Sequence, residues 1–143
     1  KKMLESLSQK LLQVELKHYK LCVQNYPTDV RLKYEYAIRL LNNNQYDQAI
    51  PLFQQAQRDP RHKISAMSKI GRCFLLKKWY SDAIDIFNQA IEMHTSNDDS
   101  IAKELRYNLA RAHEENGDKE KAIDTYRKIA QMDFGYKDQP KKE

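Results

Sequence analysis

The chain has 143 residues and a formal charge of +5, from 25 Lys and Arg against 20 Asp and Glu; it is 31% charged and 41% hydrophobic, with only 3 Gly and 4 Pro. This is about one domain's worth of chain, long enough to bury a core without disulfides or metal, and so few turn residues argue against a β-rich fold. Glycine-rich phosphate cradles are excluded as well, because Gly71, Gly117 and Gly135 stand singly and no G-x-G or G-K-[ST] string can be assembled from them.

The first predicted element is a continuous helix from about Met3 to Gln24, roughly 33 Å long at ~1.5 Å per residue. It carries two apolar stripes. Leu12, Leu16, Tyr19, Val23 and Tyr26 form one, and Leu4, Leu7, Leu11, Val14 and Leu21 form a heptad-like seam interrupted by His18 at an a-like position. One stripe can cover the helices that follow, which leaves the other without an obvious partner. Leu4, Leu7, Leu11 and Val14 are therefore a candidate association face, for an upstream repeat or for a second copy in a homodimer. The competing expectation is one fat helix buried on the rest of the chain.

Residues 29 to 42 place Val30, Leu32, Tyr36, Ala37, Leu40 and Leu41 at spacings of three and four, an apolar helical stripe broken by Asn42-Asn43-Asn44. A second helix over 45 to 58 aligns Tyr46, Ala49, Ile50, Phe53 and Ala56 and stops at Asp59-Pro60. Pro51 inside it deletes one backbone hydrogen bond and is expected to bend the helix locally. Further helices are predicted over about 62 to 77, 79 to 93, 98 to 115 and 118 to 132. Phe134 and Tyr136 read as a capping turn over the last pair, and residues 139 to 143 as a polar, disordered tail.

These helices repeat. Ala49, Phe53 and Ala56 recur 34 residues later as Ala83, Phe87 and Ala90, Tyr46 recurs as Tyr80, and Ala37 as Gly71. The same step backwards reaches Tyr19 and Cys22, followed by Pro27, with Glu15 as the mismatch at the first small position. A third copy, Ala122, Tyr126 and Ile129, follows at a spacing of 39, its extra residues falling in the polar stretch from His94 to Ser100. Small residues at Ala37, Gly71, Ala110, Ala49, Ala83 and Ala122 let helix axes approach, while Tyr46, Phe53, Tyr80, Phe87 and Tyr126 fill the gaps beside them.

The 34-residue period, the small residue in each first helix, the Ala-x3-Phe-x2-Ala of the second and the closing Pro resemble the tetratricopeptide repeat over about residues 12 to 133. Lys33, Met67 and Arg106 stand where that family has a Trp, and Lys119 and Ile129 depart from it in the third copy. The resemblance implies an all-α, right-handed α-solenoid of antiparallel helix pairs in a single domain: a long helix over 1–26, repeats over 27–60, 61–94 and 98–133, and a cap and tail over 134–143. It also implies a concave groove lined by first helices, which by register places Arg31, Tyr34, Ile38 and Leu41, then Ser65, Ser68, Arg72 and Leu75, then Glu104, Tyr107, Asn108, Arg111 and Glu114 along a ligand. The arginines suit carboxylates or phosphates and the tyrosines suit apolar side chains. The family's Lys, Asn and Arg clamp on a chaperone's terminal carboxylate is poorly matched: Tyr34, Ile38, Lys69, Glu104 and Asn108 occupy its positions, and Glu104 would repel a carboxylate.

Catalytic patterns are wanting. His18, His62, His94 and His113 show no metal-ligand spacing, His94 with Asp98 and Asp99 lacks the Gly and final Glu of a calcium loop, and no serine sits in G-x-S-x-G. Cys22 and Cys73 read as two small core thiols, and no apolar run approaches the ~18 residues of a membrane span. The expectation is a soluble, cytoplasmic scaffold for a protein or peptide partner, with no cofactor, no metal, no membrane and no enzymatic activity. The alternatives are a single-stranded RNA-binding helical repeat, or a regulatory repeat segment of a larger enzyme. Charge and Tyr34 and Tyr107 as stacking groups favour RNA, but the basic residues are spread over every segment and no base-reading pair recurs at the repeat spacing.

Overall fold

The computed structural model describes residues 1–95 and 99–141, with side chains described as far as Met132. Seven helices and no strand are found among the described residues: α1 (Lys2–Asn25), α2 (Val30–Asn42), α3 (Tyr46–Ala56), α4 (Lys63–Leu76), α5 (Tyr80–Met93), α6 (Ser100–Glu115) and α7 (Lys119–Lys141). The predicted ends of the first six agree within about two residues, the ordinary scatter of helix termini. The last does not. Its helix runs on through Gly135 and Pro140 to Lys141 where a capping turn and a disordered tail are predicted, and the Phe134 and Tyr136 side chains lie outside the described residues.

The chain divides into two compact units, Lys1–Cys73 and Phe74–Glu143, the division falling within the last turn of α4. In the first unit α2 packs against both α1 and α3. Fully buried there are Ala37 of α2, Ala49, Phe53 and Ala56 of α3, and Ala66, Met67, Ile70 and Cys73 of α4. In the second unit α6 packs against both α5 and α7. Ala83, Phe87 and Ala90 of α5 and Ala110 and Ala112 of α6 are wholly buried there. The same small-large-small triad therefore sits at the centre of each unit. An alanine brings two helix axes together and the Phe one turn away occupies the space that remains.

Turns inside each helix pair share one backbone device. Asn44, Lys78 and Gly117 adopt left-handed φ values of 63°, 68° and 87°. Around each, the following N–H reaches back to the third-last helical carbonyl: Gln45 to Leu40, Trp79 to Phe74 and Asp118 to His113, at 2.8, 2.8 and 2.9 Å. These are Schellman closures, which satisfy carbonyls that a helix end leaves unpaired. The starts of α2, α6 and α7 are capped by carboxylates, Asp29 accepting from the Leu32 N–H, Asp99 from Ala102 and Asp118 from Lys121. Pro51 lies inside α3 on its exposed side.

Candidate functional site

In the first unit, α2 presents Arg31 to solvent, and one turn on it holds Tyr34 half-buried, its ring edge-on to Phe53 at 5.7 Å and 5.1 Å from His62. Arg31 also lines a cleft of about 570 Å³ with Thr28, Asp29, Val30, Asp59, Arg61 and His62. Asp59 organises the far wall. Its carboxylate accepts from the Arg61 N–H at 3.0 Å and from the Arg61 guanidinium at 3.2 Å, and lies 3.4 Å from His62 Nδ1. The backbone N–H of Arg61 and then its guanidinium hold the Asp59 carboxyl below the usual carboxylate range. Ile38 and Arg72 are half-buried.

In the second unit the exposed face of α6 carries Glu104, Tyr107 and Arg111, spaced by three and four. Tyr107 is 50% exposed and meets the Tyr126 ring edge-on at 6.0 Å. The Tyr126 hydroxyl donates to Glu114 at 3.1 Å, and burial followed by that carboxylate raises its pKa. His113 is buried on the opposite side, and desolvation lowers its pKa against the pull of Asp118.

Four of the predicted groove residues, Leu41, Ser68, Leu75 and Asn108, are buried, and this corrects their assignment to a ligand-lining face. Leu41 and Leu75 keep 4% and 9% of their surface, and Asn108 keeps 7%. The reason is helical geometry. Asn108 follows Ala102 and Leu105 at intervals of three and precedes Ala112, so it lies on the buried stripe of α6. Leu41 likewise continues the stripe of Leu32, Ala37 and Leu40 in α2. Ser68 of α4 keeps 6%, and its Oγ has no hydrogen-bond partner among the described residues.

Sequence reasoning passed over Trp79. It is 48% exposed, stacks on Phe74 at 5.7 Å and lies under the Lys77 ammonium at 4.3 Å. Its signal was its register position, since it follows the left-handed turn residue Lys78 as Gln45 follows Asn44. His94 and Asp99 pair at 3.0 Å across the loop before α6, while Asp98 lies outside the described residues. Cys73 is buried, but Cys22 is only half-buried, 3.6 Å from His18 Nε2. Among the described residues no His, Cys, Asp and Glu group suited to a metal ion is found, and no helix is long and apolar enough to cross a membrane.

The candidate association face on α1 is open. Leu4, Leu7, Leu11 and Val14 are 69%, 54%, 58% and 63% exposed, and no residue of α1 is buried. Its other face meets α2, where Arg39 reaches Glu15 at 3.4 Å and lies over the Tyr19 ring at 4.6 Å.

The tetratricopeptide repeat profile matches residues 34–99 and 80–135. The chain belongs to the tetratricopeptide repeat family. This match begins at Tyr34, so α1 lies outside it. Among solved structures, a MamA structure, "MamA MSR-1 C2", superposes with a TM-score of 0.74 at 15% identity, covering 89% of this chain and 70% of its own. A putative kinesin light chain of Podosopora anserina with nearly identical TPR-like repeats gives 0.74 at 13% identity, with 92% and 71% covered. At these identities the likeness is one of fold, an all-α repeat solenoid. Comparison with curated protein sequences gives no match. For a tetratricopeptide repeat protein the general expectation is an interaction scaffold.

Proposed function

We propose that this tetratricopeptide repeat protein is a non-catalytic interaction scaffold that binds a peptide or partner helix on the exposed faces of its first helices and self-associates through α1. The observation that supports it best is the pairing of cationic and aromatic side chains on those faces. Arg31 lines the cleft in the first unit, Tyr34 lies against His62 of its wall, and Tyr107 stands between Glu104 and Arg111 in the second. A guanidinium takes a carboxylate through two parallel hydrogen bonds, and a half-exposed tyrosine offers rigid apolar area with a polar tip. Family members bind protein partners and in general act as scaffolds, in keeping with this reading.

The test is a peptide-array selection with the full chain, followed by titration of a selected peptide against Arg31→Glu and Tyr107→Ala. Each substitution is expected to weaken binding about tenfold, roughly 1.4 kcal/mol, with helical circular dichroism unchanged. Wild-type affinity in both variants would remove the first-helix faces from the proposal. A parallel titration with mixed single-stranded RNA across salt concentrations addresses the other class of partner: steep, salt-sensitive binding there, with none to peptides, would reverse the conclusion.

A further inference from the structure

The exposed apolar seam of α1 is not an unfilled end of the repeat stack. Register shows why. The seam residues Val14 and Leu21 correspond at the 34-residue step to Gln48 and Gln55 of α3, and one step further to Asp82 and Gln89 of α5. In both repeat helices those two positions are polar, with Leu52 or Ile86 half-buried between them, and the fully buried line runs instead through Ala49, Phe53 and Ala56 or Ala83, Phe87 and Ala90. A further repeat helix would therefore seat on the line of Glu15, Tyr19 and Cys22, not on the seam.

The seam has a different period. Leu4, Leu7, Leu11, Val14, His18, Leu21 and Asn25 alternate steps of three and four without interruption across α1, the 3.5-residue repeat of a two-stranded coiled coil. With Leu4, Leu11, His18 and Asn25 at a and Leu7, Val14 and Leu21 at d, the flanking positions are Lys10 and Lys17 at g and Ser8, Glu15 and Cys22 at e. In a parallel in-register pair each g residue faces the e residue five positions on in the other helix, which sets Lys10 beside Glu15. An antiparallel pair that matches the same a and d layers sets Lys10 against Lys17, like charge on like. Glu15 is held at the seam's edge by Arg39 with a third of its side chain exposed (33%), within reach of a second helix.

From this charge complementarity we infer that α1 is a dimerisation helix, forming a parallel, in-register two-stranded coiled coil with a second copy of the chain through Leu4, Leu7, Leu11, Val14 and Leu21. The inference rests on the self-association reading above and adds its occupant, register and direction. The α2-facing side of α1, through Tyr19 and Glu15, stays in place when the seam closes. A lipid surface is disfavoured because the seam is a narrow stripe with Lys10 and Lys17 along one edge and Glu15 on the other, whereas an interfacial helix needs a broad apolar face.

Sedimentation of the full chain at roughly 100 µM, where an association of micromolar Kd is nearly complete, reads the mass. A dimer is expected, abolished by Leu7→Asp with Leu11→Asp and weakened about three- to tenfold in Kd by Lys10→Glu, which leaves the seam intact. Direction is read in a Cys22→Ser background carrying Leu4→Cys. Parallel helices bring the two position-4 thiols together for a disulfide, and antiparallel ones separate them by about 25 Å, far beyond the ~7 Å limit between Cα atoms. A monomer overturns both the coiled coil and self-association, as does a monomer that pellets with vesicles of anionic phospholipid. A dimer that forms no Leu4→Cys disulfide, but cross-links when Leu4→Cys and Leu21→Cys chains are mixed, overturns the parallel coil and leaves self-association standing. A dimer indifferent to Leu7→Asp with Leu11→Asp overturns the seam as its interface.

Discussion

Helices α1 and α3 occupy the same repeat register one step apart, and they have opposite fates. Ala49, Phe53 and Ala56 of α3 are wholly buried, while their counterparts Glu15, Tyr19 and Cys22 in α1 are half-exposed. The difference lies in the side chains and not in helix formation, since α1 runs unbroken for 24 residues. A carboxylate in place of alanine keeps the neighbouring axis at a distance, so Glu15 closes its gap through the Arg39 ion pair and Tyr19 lies beneath the same guanidinium. Repeat identity, in other words, requires the small residue as much as the aromatic one. In α1, where the small residue is missing, one face meets α2 and the apolar seam stays exposed.

The comparison predicts graded costs. Phe53→Ala is expected to destabilise the chain by about 3 to 5 kcal/mol, because a wholly buried ring leaves a cavity, and Tyr19→Ala by no more than about 1 to 2 kcal/mol. Urea denaturation followed by circular dichroism measures both; equal losses would mean that α1 is as much a part of the core as α3. At the turns, Gly117→Ala is expected to cost about 1 kcal/mol from its left-handed φ alone, as an added Cβ meets nothing within 4 Å. Lys78→Gly in the equivalent turn is expected to gain somewhat less than that, since only part of the strain is offset by the freer unfolded chain.

A pH scan separates the buried stripe of α6 from its exposed face. The His113 pKa is lowered by desolvation, so between its folded value and about 6.5 the unfolded chain binds more protons than the folded one. Stability from this group is complete above pH ~6.5 to 7 and falls as pH drops through that range towards the folded pKa. His113→Phe is expected to remove that slope from a series of thermal melts, and an unchanged slope would place its origin at another histidine. The smallest effect belongs to the seam: Leu11→Ser is expected to shift the unfolding free energy of the monomer by less than about 0.5 kcal/mol, as for any exposed position, when measured at protein concentrations low enough to prevent association.

Sequence periodicity gave the helices within a turn because the apolar stripes are long and their stops, Asn42-Asn43-Asn44 and Asp59-Pro60, are strong. It failed at the last helix. There a capping turn and a disordered tail are expected, yet the backbone continues helical to Lys141. For the candidate groove residues Arg31, Glu104, Tyr107 and Arg111 it was their exposure that was legible, because charged and aromatic residues on the outer arc of an amphipathic helix reach solvent whatever lies behind them. Leu41, Leu75 and Asn108 were misplaced because residues at the edge of a stripe are assigned by the neighbours that crowd them, and Trp79 was missed because its exposure depends on the turn that carries it.

What the sequence determined by itself is the repeat. A 34-residue step in small and aromatic residues specifies helix pairs, because only alanine or glycine permits the close approach that a neighbouring Phe completes. The tertiary structure decided which apolar residues were used. Leu4, Leu7, Leu11 and Val14 are as hydrophobic as anything in the core and yet lie open, because a helix of one chain can turn only one face to α2. Burial is a property of pairs of surfaces, and half of each pair is supplied by the fold.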